Sequence, residues 1–312
     1  MESLLDGLPS GSRIAVIRLR SLGDCVLTTP ALALLKAHRP DLKIFVVVEP
    51  RFAPIFEDNP DVDAIVNGAV SADLALNLHG GTRSMLLTLA TRSKLRAGFA
   101  HHRYSFIYSK RIPRAQEVLG VDRRVHTAEH LASAMFWIGV PPAPIPRAKL
   151  FPDPPPGNLS NPGNLSSNDS AYAVIHPFAS SPEKTWPAER FVRTAQYLLH
   201  HGIEPIFLSG PADDPTPFSP FRTYRNKSLA EVKSLCSGAQ LFLGNDSGPA
   251  HIAAAFGVPT VVLFGASDPV TWAPWRTESR VLTSPQGIGA ISNEDVIAAI
   301  EAVRIRACKV RA

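Results

Sequence analysis

No apolar run in the sequence is long enough to cross a membrane. The longest runs, residues 45–48 and 258–264, have the length of a buried strand, whereas a membrane-spanning helix needs about 20 apolar residues. Residues 1–12 form a short polar segment with Glu2 and Asp6, unlike a secretory signal, in which a basic segment precedes an apolar one. These features predict a cytoplasmic protein.

Cysteine is scarce, and two common nucleotide-binding motifs are missing. Cys25, Cys236 and Cys308 lie far apart in the sequence and lack the spacing of a disulfide framework or a metal site. We therefore expect isolated thiols in the core or on the surface. The absence of a Walker loop and of a GxGxxG loop argues against P-loop NTPases and dinucleotide-dependent dehydrogenases.

Charged residues are moderately frequent, and the basic ones outnumber the acidic ones. Of 312 residues, 19% are charged and 45% are hydrophobic, which is typical of a globular protein. The formal net charge of +5 favours an anionic partner: a nucleotide, a phosphorylated lipid surface or a nucleic acid. The basic residues are dispersed and are not interleaved with aromatic residues, so the sequence predicts no nucleic-acid partner.

Strand-like and helix-like segments alternate along most of the chain, which predicts an α/β fold with mostly parallel sheets. The alternation is interrupted at residues 152–170 by a segment rich in Pro, Asn, Ser and Gly, which predicts a linker. We therefore predict an N-terminal domain at residues 1–151 and a C-terminal domain at residues 171–312, with a ligand between them. The predicted elements include a strand at 104–108, a helix at 123–138, a Pro-rich loop at 213–220 and a final amphipathic helix at 292–306.

The stretch from Leu243 to His251 joins a buried strand to an Ala-rich helix through a short polar turn. Asp246 and Ser247 suit a helix N-cap, and Pro249 suits the first helical turn. One interpretation is that this turn only starts a helix. The other is an anion site, because unpaired N–H groups at the carboxyl edge of a sheet bind phosphates and nucleotides.

A second loop of the C-terminal domain, residues 176–187, contains small residues, hydroxyl groups and one lysine. Ser180 and Ser181 offer directional donors and Lys184 a point charge, which together suit a diphosphate. Alternatively, Lys184 is a solvated loop lysine and Trp186 packs against the following helix. Two phosphate-suited loops in one sheet favour a shared anion site over either loop alone.

In the N-terminal domain, Asp24 follows the first strand and a tight turn at Gly23. Its commonest role at such a place is a helix N-cap. The functional alternative is a general base, which can act on a hydroxyl if the proton moves as the new bond forms. The sequence leaves both roles open.

The remaining candidates carry weaker signals. His251 points either to a phosphate or sugar or into the core, and Asp213 or Asp214 could accept a hydrogen bond from a ribose or from solvent. Several basic and aromatic residues of the N-terminal domain could form one face or be dispersed in solvent: Arg20, Arg51, Arg83 and residues 101–104. His126 and His130 share a predicted helix face, but no carboxylate pattern accompanies them to suggest a metal site.

The chain resembles glycosyltransferase family 9, the bacterial ADP-heptose:lipopolysaccharide heptosyltransferases. The likeness runs almost end to end and is most specific in the last two of its motifs. The motifs are RLRSLGD at 18–24, TTPAL at 28–32, NPDVD at 59–63, KTWP at 184–187, NDSGPAH at 245–251 and FGASDP at 264–269.

This resemblance implies a GT-B fold, in which two Rossmann-like, doubly wound domains face a central cleft. The acceptor would bind to the N-terminal domain, and the nucleotide-sugar would bind to the C-terminal domain. The resemblance also permits the last helix to cross back and pack on the N-terminal domain. The implied reaction is an inverting transfer of heptose from ADP-heptose to a lipopolysaccharide inner-core acceptor, without a metal or another cofactor. The implied partners are this nucleotide-sugar, an anionic glycolipid and, transiently, the inner face of the inner membrane.

The resemblance also assigns roles to residues. Asp24 matches the proposed catalytic base, and Lys184 matches a lysine that binds the phosphates and stabilises the leaving ADP. We predict that the donor site comprises Ser180, Ser181, Lys184, Asp213, Asp246, Ser247, Gly248 and His251. We predict that the acceptor site comprises Arg20, Ser21, Gly23, Arg51 and Arg83.

Two departures from the family pattern bear on the donor. An acidic residue usually contacts the nucleoside after the second strand of the C-terminal domain, and here only Asp213 or Asp214 is available. The segment 211–226 is short and Pro-rich, so the longer helix usual at this place is not expected. A third departure does not concern the donor: the insert at 152–170 is longer and more polar than a typical linker.

Two alternative functions remain. The first is a GT-B glycosyltransferase with another nucleotide-sugar or another acceptor. The second is a non-catalytic protein that binds a nucleotide-sugar or a glycolipid on the same scaffold. The presence of both Asp24 and Lys184 argues against the second alternative, because a binding protein needs no base.

Overall fold

The computed structural model describes residues 3–152 and 171–311, and the chain divides into two compact units, Met1–Phe151 and Pro152–Ala312. The predicted linker therefore lies, apart from Pro152, outside the described residues. Among the described residues, each unit contains one six-stranded sheet with parallel pairing throughout. The predicted α/β fold class is confirmed.

The first unit alternates strands with helices. Its strands are β1 (Arg13–Ile17), β2 (Lys43–Val47), β3 (Ala64–Val66), β4 (Leu74–Asn77), β5 (Leu95–Phe99) and β6 (Lys110–Ile112). Its α-helices are α1 (Leu22–His38), α2 (Thr82–Ala90), α3 (Ala115–Leu119) and α4 (Thr127–Ile138), and short 3-10 helices lie at Pro50–Ile55 and Ser105–Ile107. The strand order β3-β2-β1-β4-β5-β6 reverses direction between β1 and β4, as in a doubly wound Rossmann sheet.

The second unit repeats this arrangement. Its strands are β7 (Tyr172–His176), β8 (Glu204–Ser209), β9 (Arg222–Arg225), β10 (Leu241–Asn245), β11 (Thr260–Leu263) and β12 (Ser279–Leu282). Its α-helices are α5 (Ala188–His200), α6 (Leu229–Ser237), α7 (Gly248–Ala255), α8 (Pro269–Trp272) and α9 (Asn293–Arg311), with 3-10 helices at Pro182–Lys184, Thr216–Phe218 and Ile288–Ala290. The order β12-β11-β10-β7-β8-β9 reverses between β7 and β10.

Apolar residues of the strands pack against the covering helices in both units. In the first unit, Ala15 and Ile17 of β1 pack with Leu87 of α2. In the second unit, the core joins strand residues with Trp186 and with α9, whose Val296 and Ile300 are fully buried. The described side chains of the last helix thus contribute to the core of its own unit.

Several predicted elements of the first unit differ from the structure. The predicted strand 104–108 is wrong: this segment forms a 3-10 helix, and the Tyr108 ring packs on Gly98, where a Cβ atom would lie 2.4 Å from the ring. The predicted helix 123–138 begins only at Thr127. His126 caps it, because its Nδ1 accepts a hydrogen bond from the Ala128 N–H at 3.1 Å while Glu129 accepts one from the His126 N–H at 2.8 Å.

In the second unit, the prediction for residues 213–220 omits a 3-10 helix at Thr216–Phe218 and the edge strand β9 that follows. The buried Phe218 ring stacks on Phe207 with centroids 4.4 Å apart. This contact anchors a Pro-rich segment that the sequence presents as an open loop. A long helix is absent from the described residues here, as the short segment predicts.

Cys25 and Cys236 are buried free thiols, in agreement with the expectation of isolated cysteines. Burial raises the pKa of each thiol to about 12. Both thiols are therefore protonated near neutral pH. The side chain of Cys308 lies outside the described residues.

Candidate functional site

Each sheet has a point where its strand order reverses, and the candidate residues follow the strands that meet there. Ligands of open α/β sheets bind outside the carboxyl ends of the strands at this point. In the first unit the segment after β1 carries Asp24, and the segment after β4 carries His79. In the second unit the loop after β7 carries Lys184, and the turn after β10 carries Asp246.

Asn245, at the end of β10, fastens the loop that carries Lys184. Its amide Nδ2 donates to the Pro177 carbonyl at 2.7 Å, and its Oδ1 accepts from the Trp186 N–H at 3.1 Å. Asn245 is completely buried, and one side chain thus satisfies backbone groups near both ends of the loop. These two bonds fix the path of the loop, which favours preorganised binding.

Glycine at position 265 lets this loop approach the next strand connection closely. A Cβ atom at Gly265 would lie 1.9 Å from the Glu183 carbonyl oxygen and 3.0 Å from the Lys184 Cα. The FGASDP motif therefore has a physical role here. Its glycine admits the backbone that carries Lys184.

Lys184 and Asp246 form a loose ion pair, with Lys184 Nζ 4.0 Å from Asp246 Oδ2. Burial raises the pKa of Asp246, although the nearby Ser267 side chain and the charge of Lys184 oppose this shift. Asp246 thus sits where a negative charge is poorly solvated, and Lys184 supplies the nearby positive charge. An incoming phosphate would compete with this carboxylate for the ammonium group.

Ser247 forms the N-cap of α7, and Gly248 begins the helix, with Pro249 in its first turn. The prediction of a helix start is confirmed. Ser247 also has a partner that the sequence does not indicate, since its Oγ lies 2.9 Å from His176 Nδ1 at the end of β7. This hydrogen bond links the two strand ends that flank the reversal point.

His176 and Asp213 extend the same edge of the sheet. Desolvation lowers the pKa of His176 to about 4, and the charge of Asp213 acts weakly against that shift. Asp213 itself accepts a hydrogen bond from the Gly210 N–H at 2.7 Å, directly after β8. Asp214 is exposed and accepts bonds from Thr216. Of the two acidic residues, the structure brings Asp213 to the edge that carries the candidate donor residues.

The other predicted donor residues lie in the same two segments. Ser180 is exposed and Ser181 is the N-cap of the 3-10 helix that ends at Lys184. His251 is 5% exposed, and its ring lies 6.4 Å from the Trp272 ring in an edge-on arrangement. His251 is therefore mainly packed, which agrees with the core interpretation of this residue.

In the first unit, Asp24 is neither a free carboxylate nor the N-cap of α1. The N-cap is Ser21, and Asp24 occupies the third helical position. Asp24 Oδ2 accepts hydrogen bonds from the Ser21 hydroxyl at 2.9 Å and from the Ser21 N–H at 3.3 Å. Its Oδ1 pairs with the guanidinium group of Arg18. The carboxylate is therefore held in one orientation from both sides.

Arg18 is the buried member of this pair. It is 8% exposed, and a second guanidinium nitrogen donates to the Leu78 carbonyl at the end of β4. Burial lowers the pKa of Arg18 to about 10, so the group stays charged near neutral pH. Breaking a buried pair by removing one partner typically costs about 3–5 kcal/mol. Arg18 therefore fixes both the position of Asp24 and the connection between β1 and β4.

Asp24 opens onto a cavity of about 600 Å³ in the first unit. Its walls carry more positive than negative charge, which suits an anionic ligand. The lining residues are Arg18, Arg20, Ser21, Asp24, Arg51, Phe52 and His79. Three of the predicted acceptor residues thus line the same cavity as Asp24, and Gly23 lies beside it in the first turn of α1.

Glu49 connects Arg83, the remaining predicted acceptor residue, to this cavity. One carboxylate oxygen lies 2.9 Å from an Arg51 guanidinium nitrogen, and the other lies 3.4 Å from Arg83. Arg51 also stacks on Phe52, with its guanidinium carbon 4.7 Å from the ring centroid. Arg51 and Arg83 are thus both exposed, and both pair with the same carboxylate.

A cluster of imidazoles lies beyond the cavity, after β5. His130 of α4 stacks on Phe99 with centroids 4.0 Å apart, and His101 lies between His130 and His102. His102 Nδ1 is 3.2 Å from the Tyr108 hydroxyl. Desolvation, reinforced by neighbouring positive charges, lowers the pKa of His102 to about 3 and that of His130 to about 4. Both rings are neutral near pH 7.

This cluster predicts a loss of stability in mild acid. When the pKa of a histidine in the folded chain lies below its unfolded value of about 6.5, the unfolded chain binds more protons than the folded chain in mild acid. The free energy of unfolding therefore falls as the pH drops from about 6.5 towards 4. For His130 the expected cost at pH 5 is about 2 kcal/mol. Replacing His130 with Phe preserves the stacking on Phe99 and should reduce by about this amount the loss in unfolding free energy between pH 7.5 and pH 5, measured by urea denaturation.

His200→Gln is the matched control, because His200 is exposed at the end of α5. It gives the background effect of removing an exposed histidine, against which the effect of His130→Phe is compared. The endpoint of pH 5 avoids the carboxylates with lowered pKa values, such as Asp41 and Glu129, whose contributions are lost only at lower pH. An identical pH dependence in wild type and His130→Phe would contradict the assignment.

Four residues of these sites were missed by sequence reasoning. Arg18 and Asn245 lie inside quoted motifs, but each contacts a backbone group 60 or more positions away. His176 and Glu49 stand at strand ends, which is the only sequence signal that they carry. A rule that marks polar residues at the ends of buried strands would have found all four.

Two features are absent from residues 3–152 and 171–311. No group of three or more His, Cys, Asp or Glu side chains is arranged to hold a metal ion among these residues. No helix in this part of the chain is long and apolar enough to span a bilayer.

Known proteins resemble this chain in sequence. The family model described as "Glycosyltransferase family 9 (heptosyltransferase)" matches residues 68–290. Lipopolysaccharide heptosyltransferase 3 of Escherichia coli is 29% identical over 294 residues, which cover 82% of this chain and 84% of that protein.

Solved structures resemble the chain over nearly its full length. A family 9 glycosyl transferase from Veillonella parvula DSM 2008 has a TM-score of 0.82 at 22% identity, covering 95% of this chain and 98% of that one. The ADP-heptose lps heptosyltransferase II of E. coli has a TM-score of 0.76 at 20% identity, covering 94% of this chain and 99% of that one. These similarities confirm the predicted GT-B fold class.

The matched region begins before β4 and ends after β12, so it includes the Lys184 loop, the Asn245–His251 turn and the Gly265 contact. Because this region is more than half of the sequence, the chain belongs to glycosyltransferase family 9 and is a glycosyltransferase.

Proposed function

We propose that this enzyme transfers a heptose from ADP-heptose to an inner-core acceptor of lipopolysaccharide, with inversion at the anomeric carbon. The observation that carries the proposal is the pair of charged groups at the two reversal points: the oriented carboxylate of Asp24 in the first unit, and the ammonium of Lys184 beside the start of α7 in the second. An inverting transfer needs a base for the acceptor hydroxyl and positive charge for the leaving diphosphate.

Lys184, the N–H groups at the start of α7 and the hydroxyls of Ser180, Ser181 and Ser247 are the groups proposed to hold the donor. A helix N-terminus carries partial positive charge and unpaired N–H groups, which suit a phosphate. Asp213 is the proposed acceptor of a nucleoside hydroxyl, since it lies at the same edge and is only partly exposed.

Asp24 is the proposed general base. Its carboxylate accepts bonds from Ser21 and pairs with Arg18, so it faces the cavity in a fixed orientation. In the proposed reaction the acceptor hydroxyl attacks the anomeric carbon as its proton passes to Asp24. The bond from the anomeric carbon to the diphosphate oxygen breaks, and ADP leaves with its charge stabilised by Lys184.

The acceptor is proposed to be an anionic glycolipid at the cytoplasmic face of the inner membrane. Arg20, Arg51 and Arg83 give the cavity and its rim positive charge. The names of the relatives support this choice, since lipopolysaccharide heptosyltransferase 3 of E. coli is among them. No metal ion is required in this proposal, because protein donors neutralise the diphosphate.

Donor specificity is the sharpest test of this function. Isothermal titration of the purified chain with ADP-, UDP-, GDP- and CMP-sugars should give binding only, or at least tenfold more tightly, in the ADP series. Transfer to a lipopolysaccharide core acceptor, with the product linkage read by NMR, should show inverted configuration relative to the donor. Equal affinity for all four series would discard ADP-heptose, and binding without turnover would favour the non-catalytic alternative.

A further inference from the structure

One surface of the first unit combines exposed apolar side chains with a one-signed charge. Among the described residues, six large hydrophobic side chains are exposed, and three of them lie on this surface. Phe106 is 70% exposed and Leu86 58%, and Leu89 is the third. Together with Tyr104 these residues define what we call the Phe106 patch.

Direct contacts join Tyr104 to Phe106 and to the start of α2, and helix geometry places Leu86 and Leu89 on the same side. The Tyr104 hydroxyl lies 2.8 Å from the Thr82 hydroxyl at the start of α2, and the Tyr104 and Phe106 rings are 6.3 Å apart. Leu86 follows Thr82 by one helical turn and therefore shares its face of α2. Leu89 continues this face one turn further. The segment after β5 and the outer face of α2 thus form one surface.

Positive charge surrounds the patch. The Arg103 guanidinium lies 5.4 Å from the Tyr104 ring centroid, and Arg111 Nε donates to the Ser105 carbonyl at 3.2 Å. Arg83 lies in the first turn of α2, and all three arginines are exposed. The sequence explains the uniform sign: residues 74–116 contain eight Lys and Arg residues and no Asp or Glu.

The patch is continuous with the candidate acceptor cavity. Arg83 on its edge pairs with Glu49, which also pairs with Arg51 in the cavity wall. A ligand whose sugar reaches this cavity would therefore place its neighbouring parts over the patch. Apolar side chains ringed by arginines suit the interface of an anionic bilayer, where apolar groups enter the lipid and cations meet the headgroups.

We propose that the Phe106 patch docks the enzyme on an anionic lipid bilayer, so that a membrane-embedded acceptor can present its sugar to the cavity that contains Asp24. This inference rests on the proposed function for the identity of the acceptor. The binding itself requires neither donor nor acceptor. Its failure can therefore be distinguished from a failure of the proposed reaction.

Vesicle co-sedimentation tests the proposal. The full chain should bind vesicles of phosphatidylglycerol and phosphatidylcholine, bind pure phosphatidylcholine much more weakly, and dissociate as the salt concentration rises. The double variant Leu86→Ser with Phe106→Ser should lower the partition coefficient at least about tenfold, because two apolar anchors are removed. Arg103→Ser should lower it about fivefold.

Matched controls come from the second unit. Leu199 and Ile305 are each 56% exposed, and the double variant Leu199→Ser with Ile305→Ser should bind vesicles like wild type. Arg193, exposed on α5, is the control for Arg103. Turnover on a delipidated, water-soluble acceptor should be unchanged in the Leu86→Ser, Phe106→Ser variant, which also shows that the variant is folded.

Three results would overturn the inference. The first is equal binding of wild type and the Leu86→Ser, Phe106→Ser variant to anionic vesicles. The second is equal binding of wild type to neutral and anionic vesicles. The third is a dimer in analytical ultracentrifugation that this double variant dissociates, because the patch would then be covered by a second copy of the chain.

Discussion

Replacing Asp24 with Asn is expected to lower kcat by about 10²–10⁴-fold, the usual contribution of a general base, while donor affinity stays unchanged. Asn matches the carboxylate in shape, and its Oδ1 can accept from Arg18 while its Nδ2 donates to the Ser21 hydroxyl oxygen. Only the longer bond from the Ser21 N–H is lost, so the fold around α1 should persist. It cannot take up the acceptor proton. Initial rates with saturating acceptor and isothermal titration of the donor measure the two quantities separately.

Asp58→Asn is the matched control in the same unit. Asp58 is exposed and has a φ of 59°, a left-handed conformation that Asn also adopts readily. The control should retain full turnover. Wild-type turnover in Asp24→Asn would show that another group accepts the proton, and loss of donor affinity together with turnover would indicate a folding defect.

The charge of Arg18 makes a second comparison informative. If Asp24→Asn lowers kcat because the base is gone, then Arg18→Lys should retain part of the activity, since Lys preserves the positive charge beside Asp24 but not the bond to the Leu78 carbonyl.

The pH profile of kcat/KM should show an acidic limb in wild type that is absent from Asp24→Asn. A role of Asp24 that is only structural would leave the shape of this profile unchanged.

Local chemistry explains which features the sequence could predict. Ser228 and Glu231 form the predicted capping box, with the Ser228 hydroxyl accepting from the Glu231 N–H at 3.2 Å and the carboxylate accepting from the Ser228 N–H at 2.9 Å. Both partners lie within one turn of helix, so the pattern suffices. The start of α7 at residues 247–249 was predictable from Pro249, which suits the first helical turn, although the Ser247 side chain makes no capping hydrogen bond.

The features that sequence reasoning missed depend on contacts between distant segments. Asn245 reaches Pro177, 68 positions away, and Arg18 reaches Leu78, 60 positions away. Neither residue type indicates its partner, because a buried amide or guanidinium group can form hydrogen bonds in many geometries. The doubly wound order of the sheets makes these contacts possible, since it places β1 beside β4 and β7 beside β10. Strand order was available only through the resemblance.

Replacing Lys184 with Ala should lower kcat/KM by about 10²–10³-fold, the typical cost of removing one group that stabilises developing negative charge. The same change should weaken ADP binding by about 10–100-fold, since a hydrogen bond to a charged group contributes about 1.5–3 kcal/mol. Adenosine has no phosphate, so its affinity should not change. Isothermal titration of both ligands with each variant measures the difference.

Lys227→Ala is the matched control, because Lys227 also pairs with a carboxylate, Glu231, at 3.0 Å in the same unit. It should leave the affinity for ADP unchanged. Lys184→Arg should recover only part of the lost affinity. The Gly265 contact holds the backbone at position 184 in place, and the longer, planar guanidinium cannot occupy the position of the ammonium.

Asp246 provides the final check on this assignment. The positive charge of Lys184 lowers the pKa of Asp246 and so offsets part of the increase that burial causes. If the diphosphate replaces Asp246 as the partner of the ammonium group, Asp246→Asn should tighten ADP binding in the wild-type background but not in Lys184→Ala. A double-mutant cycle on ADP affinity should therefore give a coupling clearly different from zero. Additive effects, or an equal loss of ADP and adenosine binding in Lys184→Ala, would mean that Lys184 acts on the fold of the loop rather than on the phosphates.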